Sequence, residues 1–249
     1  MTVFDPILVD ALRSARHVAV LTGAGISAES GIPTFRDPQS GPQSALWSRF
    51  RPEELATREA FARNPKLVWD WYEWRRGLVG GAGPNAAHAA LVAMAGKVAR
   101  LTVITQNVDN LHTEAGSPEV IELHGNIRRN KCFDAARGRP GECRVGAQPP
   151  ACAVCGGWVR PDVVWFGESL PAQALAAAED AAKGCDVFFS IGTSAAVYPA
   201  AGLPIVALRA GKPVVEINRE PTALSQATRF TFRGKAGELL PALIDAAWP

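Results

Sequence analysis

A pair of glycines that follows an apolar run is the stretch around which the chain can be interpreted. Residues 18–22 are apolar and partly β-branched, and Gly23 and Gly25 come directly after them. A run of this kind that stops at glycines is typical of a buried strand entering a tight turn. Because glycine lacks a side chain, backbone N–H groups in such a turn can approach a phosphate. The stretch therefore suggests a nucleotide site, although a purely structural turn is the alternative.

The dinucleotide-binding fingerprint is only partly present at this turn. Ala28 occupies its third small position, where alanine is permitted. An acidic residue about 20 positions further on would normally hold a ribose, but Asp37 comes too early and lies in a segment rich in proline and glycine. The remaining sequence must decide between the two interpretations.

Further polar clusters each follow a predicted strand. Because the carboxyl ends of parallel strands share one edge of a sheet, and ligands bind at that edge, these clusters should converge on one site. Together with the glycine turn they make five groups, which favours a ligand site over unrelated turns. The additional clusters are Gln106, Asn107 and Asp109; His124; Gly192, Thr193 and Ser194; and Asn218 and Glu220.

Helical and strand patterns alternate along the chain, which predicts an α/β fold with a doubly wound parallel sheet. Strands are predicted at residues 18–22, 101–105, 120–123, 186–191, 213–217 and 229–232. Asp5 and Asn64, each followed by proline, are typical helix starts, and a last helix is predicted over residues 236–247.

Composition excludes several function classes. With 249 residues, 47% hydrophobic residues and a formal net charge of +2, the chain fits one large domain or one domain with a small insert. The weak charge argues against direct binding of nucleic acid. Since neither a signal-like N-terminus nor an apolar run of roughly 18 residues is present, no membrane segment is expected and a cytoplasmic location is predicted.

The cysteines suggest a metal site. Four of the five lie between residues 132 and 155, which favours metal binding in a reducing compartment over disulfides. Cys152 and Cys155 have the spacing of a zinc knuckle, and Cys132 and Cys143 could complete a tetrahedral set. The interval between Cys132 and Cys143 is longer than the usual two to four residues, so a metal-free module stays open.

The ordered motifs GAGIS, GIPTFR, TQNVDNLH, ELHG, GTS and INRE resemble those of the sirtuins, the NAD-dependent protein-lysine deacylases. The resemblance covers about residues 10–240. Tyr72 and Arg75, with the segment 192–201, resemble the class III branch, whose members remove succinyl and malonyl as well as acetyl groups. The resemblance implies that the Tyr72 hydroxyl and the Arg75 guanidinium hold the acyl carboxylate. On spacing alone, these two residues merely share a helix face.

The resemblance also implies the roles of the site residues. His124 would be the general base for the ribose hydroxyls, with Asn107 as a second catalytic residue, and the products would be lysine, nicotinamide and 2′-O-acyl-ADP-ribose. Phe166, Gly167 and Glu168 would pair with the substrate peptide as a strand. The NAD-binding residues would be Gly23, Ala24, Gly25 and Arg36 at the pyrophosphate, Phe35 at the nicotinamide ribose, Gln106, Asn107 and Asp109 around the nicotinamide, and Gly192, Thr193, Ser194, Asn218, Glu220 and Ala236 toward the adenosine.

The implied architecture is a Rossmann-like domain of residues 1–37, 84–126 and 162–249 with a smaller domain made from two insertions. These are a helical insertion, 38–83, and a cysteine module, 127–161, that holds structural zinc. Ala135 stands where the family has a zinc ligand, which leaves the metal in doubt. A monomer is expected. Transfer of ADP-ribose to a protein side chain and a non-catalytic NAD sensor are the alternative functions.

Overall fold

The structure is a computed structural model that describes residues 3–33, 50–134, 143–144 and 148–249. For residues 143–144 it describes the backbone alone. The predicted cofactor residues Phe35 and Arg36, as well as Ala135 and the side chain of Cys143, lie outside the described residues.

The described chain alternates helices and strands as the sequence predicts. The helices are α1 (Pro6–Ser14), α2 (Ala24–Ser27), α3 (Pro52–Leu55), α4 (Arg58–Arg63), α5 (Pro65–Gly80), α6 (Ala86–Ala95), α7 (Leu111–Ala115), α8 (Ala172–Gly184), α9 (Leu203–Arg209) and α10 (Ala236–Ala247). The strands are β1 (His17–Thr22), β2 (Arg100–Thr105), β3 (Val120–Glu122), β4 (Gly125–Cys132), β5 (Cys143–Arg144), β6 (Ala151–Cys152), β7 (Val159–Val163), β8 (Val187–Ile191), β9 (Val214–Asn218) and β10 (Phe230–Arg233).

The central sheet has six strands in the order β3-β2-β1-β8-β9-β10, and every neighbouring pair is parallel. The predicted doubly wound parallel sheet is confirmed, and each predicted strand agrees with the structure to within one residue at either end. After β1, the chain adds β2 and β3 on one side of that strand and then β8, β9 and β10 on the other, so the strand order reverses between β1 and β8. In open α/β sheets a ligand crevice forms at such a switch point, outside the carboxyl ends of the strands.

Alternate residues of β1 explain why this strand is central. Val18 and Val20 pack on one face of the sheet with residues of α1, α6 and α10, while Ala19 and Leu21 pack on the other with residues of α8 and α9. All four are fully buried. A strand covered by helices on both faces reads as a continuous apolar run, which is the pattern found before Gly23.

Helix starts follow the capping residues in the sequence. The Asp5 side chain accepts a hydrogen bond from the Ile7 amide, and Asn64 accepts one from the Leu67 amide, each with proline as the first helical residue. Both predicted helix starts are therefore confirmed. Among the described residues, no helix is long and apolar enough to cross a membrane.

A second packing unit lies beside the sheet. Helices α3 to α5 pack on the antiparallel pair β4 and β7 around buried side chains that include Phe61, Trp71, Tyr72, Ile127 and Trp165. Arg76 connects the helices of this unit to its strands, since the Nε of Arg76 on α5 donates to the carbonyl oxygen of Ile127 on β4 at 2.6 Å. This unit carries the tyrosine of the predicted acyl pocket.

Candidate active site

The turns after β1 and β8 touch at the switch point of the sheet. The Gly25 amide donates to the Gly192 carbonyl oxygen at 2.8 Å, and the Gly23 amide donates to the Ile191 carbonyl oxygen at 3.1 Å. These two predicted cofactor residues therefore join the end of β1 to the end of β8 and the turn that follows it.

Close contact between backbones explains the glycines. A Cβ atom on Gly25 would lie 2.7 Å from the Gly192 Cα, and one on Gly23 would lie 2.8 Å from the Gly192 carbonyl oxygen. Gly192 itself has a φ of +60°, and a Cβ there would collide with the Ile26 amide nitrogen. The phosphate site at this turn stays a prediction, and the amides of Gly23 and Gly25 are both bonded within the protein. The missing side chains let one turn approach the other.

A buried hydrogen-bond network joins the turns after β1 and β2. Asn107 Nδ2 donates to the Gly23 carbonyl oxygen and to Ser27 Oγ, both at 3.1 Å. Ser27 Oγ donates in turn to Asp109 Oδ2 at 2.7 Å, and Asp109 Oδ1 accepts from the Leu111 amide at 3.0 Å. Ser27 was not among the predicted site residues, although it belongs to the GAGIS motif. The network fixes the side-chain amide of Asn107 and the carboxylate of Asp109 beside the turn that follows β1.

The remaining predicted cofactor residues extend along the same edge. Gln106 Nε2 donates to Thr193 Oγ1 at 3.0 Å, and Asn218 Nδ2 donates to the Thr193 carbonyl oxygen at 3.1 Å. Thr193 thus links the turns after β2, β8 and β9. Glu220 lies exposed beyond β9, and Ala236 is buried at the first residue of α10.

His124 lies beyond the end of β3 with a defined ring orientation. Its Nδ1 is 2.9 Å from the Gln106 carbonyl oxygen. A carbonyl oxygen only accepts, so Nδ1 must carry a proton, and the neutral ring keeps its lone pair on Nε2. Burial lowers the pKa of His124 below 6.5. The imidazole is therefore held in the neutral form that a general base requires.

Two other histidines are buried behind the crevice. His112 Nε2 lies 2.9 Å from Thr22 Oγ1, and the His112 and His88 rings are 4.8 Å apart between centroids. Burial lowers the pKa of His112 to about 3 and also lowers that of His88. Among the described residues, His88 Nε2 and His112 Nδ1 have no hydrogen-bond partner. Both rings are neutral supports of the fold at ordinary pH.

Tyr72 and Arg75 lie on α5, three residues apart, as predicted. Tyr72 is 3% exposed, and its hydroxyl accepts a hydrogen bond from Trp165 Nε1 at 2.9 Å. Burial raises the pKa of Tyr72 to about 12, so the hydroxyl stays protonated. The guanidinium carbon of Arg75 lies 5.1 Å from the centre of the Trp71 ring. An uncharged donor and a cation thus sit side by side on one helix.

The predicted peptide-binding segment follows β7. The Phe166 amide donates to the Ala56 carbonyl oxygen at 2.9 Å, and its side chain is 46% exposed. The Glu168 carboxylate is held by Arg160 at 2.6 and 2.8 Å and by the Trp165 amide at 3.0 Å. Gly167 between them has a φ of +83°. The carboxylate of Glu168 therefore fixes the turn, and the exposed group of the segment is Phe166.

Three predicted zinc ligands come together at the ends of β4 and β6. The sulfurs of Cys132, Cys152 and Cys155 all lie within 4.8 Å of one another, and those of Cys132 and Cys155 are 3.4 Å apart. A tetrahedral zinc with bonds of about 2.3 Å separates its sulfurs by roughly 3.8 Å, so this donor set fits the ion. Strand pairing sets Cys143 opposite Cys152. A fourth ligand can therefore come from β5.

Comparisons with known proteins agree with this geometry. The family profile described as Sir2 family matches residues 23–199. A Methylococcus capsulatus protein named NAD-dependent protein deacylase is 49% identical over 251 aligned residues, covering 98% of this chain and 97% of its own. A Pyrococcus furiosus protein of the same name is 51% identical over 240 aligned residues, covering 94% of each chain.

Solved structures show the same similarity. A Sir2 homologue in complex with NAD is 42% identical and superposes with a TM-score of 0.88, covering 99% of this chain and 94% of its own. A Sir2 protein with a deacetylated p53 peptide and an acetylated ADP-ribose is 30% identical, with a TM-score of 0.82, and covers 96% of this chain and 97% of its own. Both similarities extend over nearly the whole chain.

Proposed function

The chain belongs to the Sir2 family and is an NAD-dependent protein deacylase, and we propose that it removes succinyl and malonyl groups as well as acetyl groups from lysine side chains. The observation that carries this proposal is the pairing of Tyr72 and Arg75 on one turn of α5. A protonated phenol beside a guanidinium offers hydrogen-bond donors and positive charge to the end of an acyl chain. A terminal carboxylate uses both, whereas an acetyl methyl group uses neither.

We assign the crevice at the switch point to NAD, which is consumed as a substrate. Gly23, Ala24 and Gly25 would floor the pyrophosphate site, with Arg36 and Phe35 assigned by the sequence resemblance alone. Gln106, Asn107 and Asp109 would surround the nicotinamide end. Asn107 and Asp109 suit this place because the Ser27 network holds them rigidly. Toward the adenosine we assign Gly192, Thr193, Ser194, Asn218, Glu220 and Ala236.

His124 is proposed as the general base. In the reaction, the acyl oxygen of the modified lysine bonds to C1′ of the nicotinamide ribose as nicotinamide leaves. The neutral Nε2 of His124 then takes a proton from a ribose hydroxyl, so that the 2′-oxygen attacks the acyl carbon. The lysine amine then leaves the acyl carbon, and water adds to that carbon and breaks its bond to the 1′-oxygen, which leaves 2′-O-acyl-ADP-ribose. The bond from Nδ1 to the Gln106 carbonyl oxygen supports this role, since it leaves Nε2 unprotonated.

The peptide and metal assignments rest on similar arguments. An acyl-lysine peptide would add as a strand beside Phe166 and Gly167, whose conformation Glu168 maintains. Structural zinc would be held by Cys132, Cys152 and Cys155, with Cys143 as the fourth ligand through the β5–β6 pairing. The two-domain division, the cytoplasmic location, the monomeric state and the lack of nucleic-acid binding stay predictions from sequence.

One experiment tests the activity. Purified protein is incubated with NAD and with matched acetyl-lysine and succinyl-lysine peptides, and the products are weighed by mass spectrometry. We expect deacylated peptide, nicotinamide and acyl-ADP-ribose from both. A protein mass increased by ADP-ribose would instead indicate a transferase, and unchanged NAD would indicate a sensor. Turnover of acetyl but not succinyl peptide would reject the proposed acyl range.

A further inference from the structure

One indole group connects the two halves of the proposed substrate site. Trp165 is 2% exposed, and its Nε1–H donates to the Tyr72 hydroxyl at 2.9 Å. It directly precedes Phe166, the exposed residue of the peptide segment. It lies in none of the predicted site positions. Its position before the Phe166, Gly167 and Glu168 segment was the only available signal.

The hydrogen bond from Trp165 has a direction. An indole nitrogen can only donate, so the tyrosine oxygen is the acceptor of this bond. Because that oxygen already accepts the indole hydrogen bond, the hydroxyl's own proton lies in a different direction and can be donated to another acceptor. Among the described residues, the Tyr72 hydroxyl makes the bond with Trp165, and no acceptor for its own proton is found. The hydroxyl proton is therefore available to a further acceptor, such as the end of an acyl chain.

The indole is clamped so that this direction is maintained. The guanidinium carbon of Arg160 lies 3.8 Å from the centre of the Trp165 ring, and the Phe61 ring packs at 5.4 Å. Glu168 accepts from the Trp165 amide and holds Arg160 with both carboxylate oxygens. A buried cation stacked on the ring and a bonded backbone together leave the indole one orientation. Trp165 thus cannot rotate away from Tyr72.

We propose that Trp165 is a positioning residue for acyl selectivity, because its N–H makes the Tyr72 hydroxyl a donor aimed at the carboxylate end of a succinyl or malonyl chain. This inference rests on the proposed function and deepens it. The indole need not touch the acyl group, since it acts through Tyr72. Arg160 and Glu168 hold Trp165 in place, and Trp165 directly precedes Phe166 and bonds to Tyr72. The peptide segment and the proposed acyl pocket are therefore connected through this one side chain.

The test compares two acyl groups of equal carbon number. Succinyl and butyryl chains each have four carbons and differ at the end, where one carries a carboxylate and the other a methyl group. The ratio of their kcat/KM values is measured for wild type, Trp165→Phe, Tyr72→Phe and the double variant. Trp248→Phe is the matched control, because it makes the same indole-to-phenyl change on the C-terminal residues packed against the main core.

Phenylalanine keeps an aromatic ring beside Arg160 and removes the N–H. We expect Trp165→Phe to lower the succinyl-to-butyryl ratio roughly three- to tenfold, as for one uncharged hydrogen bond. The loss should appear in KM more than in kcat, since the acyl end does not react. The double variant should have the ratio of Tyr72→Phe, and Trp248→Phe should keep the wild-type ratio.

A second measurement needs no Trp165 variant. Indole N–H signals are recorded by NMR in wild type and Tyr72→Phe, and the signal that moves identifies the bonded indole. Adding succinyl peptide to wild type should shift this signal, and butyryl peptide should shift it much less.

An unchanged ratio in folded Trp165→Phe, or no indole signal sensitive to Tyr72→Phe, would overturn the inference while wild-type desuccinylation left the proposed function standing. If wild type itself did not prefer the carboxylate, the proposed acyl range would fail first.

Discussion

The Nδ1 atom of His124 faces the carbonyl oxygen of Gln106 at 2.9 Å, and this contact determines which ring nitrogen can act as a base. The Gln106 side chain in turn donates to Thr193, so the His124 ring is oriented by a residue that also joins the turns after β2 and β8. The placement of the proposed general base therefore depends on the same loops that form the proposed NAD site.

His124→Ala should fold and bind NAD but lose roughly 10²–10⁴-fold in kcat, because no other described side chain replaces the neutral Nε2. Product formation is measured under saturating NAD and peptide, with NAD binding measured by calorimetry. His17→Gln is the matched control, since His17 begins β1 at the opposite edge of the sheet. Turnover at the wild-type rate in His124→Ala would remove this histidine from the mechanism.

Arg75→Met should reduce kcat/KM for a succinyl peptide roughly 10–100-fold, which corresponds to a charged hydrogen bond of about 1.5–3 kcal/mol. Methionine keeps an unbranched chain of similar length and removes the charge. The acetyl peptide should lose far less, because its methyl group cannot use the guanidinium. Arg63→Met, at the exposed end of α4, serves as the control. Equal losses on both peptides would show that Arg75 acts on the fold.

Acid should destabilise the folded protein through its buried histidines. An unfolded histidine binds a proton near pH 6.5, whereas folded His112 does so only at about 3. Between these values the unfolded state holds more protons, so the free energy of unfolding falls as pH falls. The full stabilising contribution of neutral His112 is present above pH 6.5. The free energy of unfolding changes by at most about 1.4 kcal/mol per pH unit for each such histidine.

Urea unfolding between pH 7.5 and 5 measures this slope. His112→Gln keeps an amide that can donate to Thr22 Oγ1 but does not titrate, so its unfolding free energy should depend less on pH. His88 has a lowered pKa as well and should account for part of the remaining slope. Identical slopes in wild type and His112→Gln would mean that His112 does not contribute.

Purified protein should contain about one zinc ion per chain, and Cys155→Ser should lose it together with much of its thermal stability. A structural zinc contributes on the order of 10 kcal/mol to folding, so a chelator should also unfold the cysteine module. Cys185→Ala is the control, because Cys185 is buried in the core of the main sheet, away from the cluster. Fully active protein without zinc would refute the metal assignment.

The strands and the polar edge could be predicted because they depend on local patterns. The apolar run before Gly23 and the capping signals at Asp5 and Asn64 each specify their own element. In a parallel sheet, every strand then delivers its last residues to one edge. This is why Asn107 and His124, which follow different strands, could both be selected from sequence.

Contacts between distant segments could not be predicted in the same way. The amides of Gly23 and Gly25 pair with the turn after β8, almost 170 residues further along the chain. The bond from Trp165 to Tyr72 likewise joins residues separated by 93 positions. Neither residue type announces such a partner, since a tryptophan in an apolar segment usually indicates only packing. Hydrogen-bond direction emerges from the three-dimensional arrangement.

The fit between the turns at Gly25 and Gly192 limits how this enzyme can diversify. A methyl group on either glycine would collide with the opposite turn and push apart β1 and β8, the two middle strands of the sheet. Substitution at these positions would therefore damage the fold itself. Variation that spares the fold must therefore lie outside these two turns, and also outside the buried face of the helix that carries Tyr72, because Tyr72 is 3% exposed and packed in the second unit.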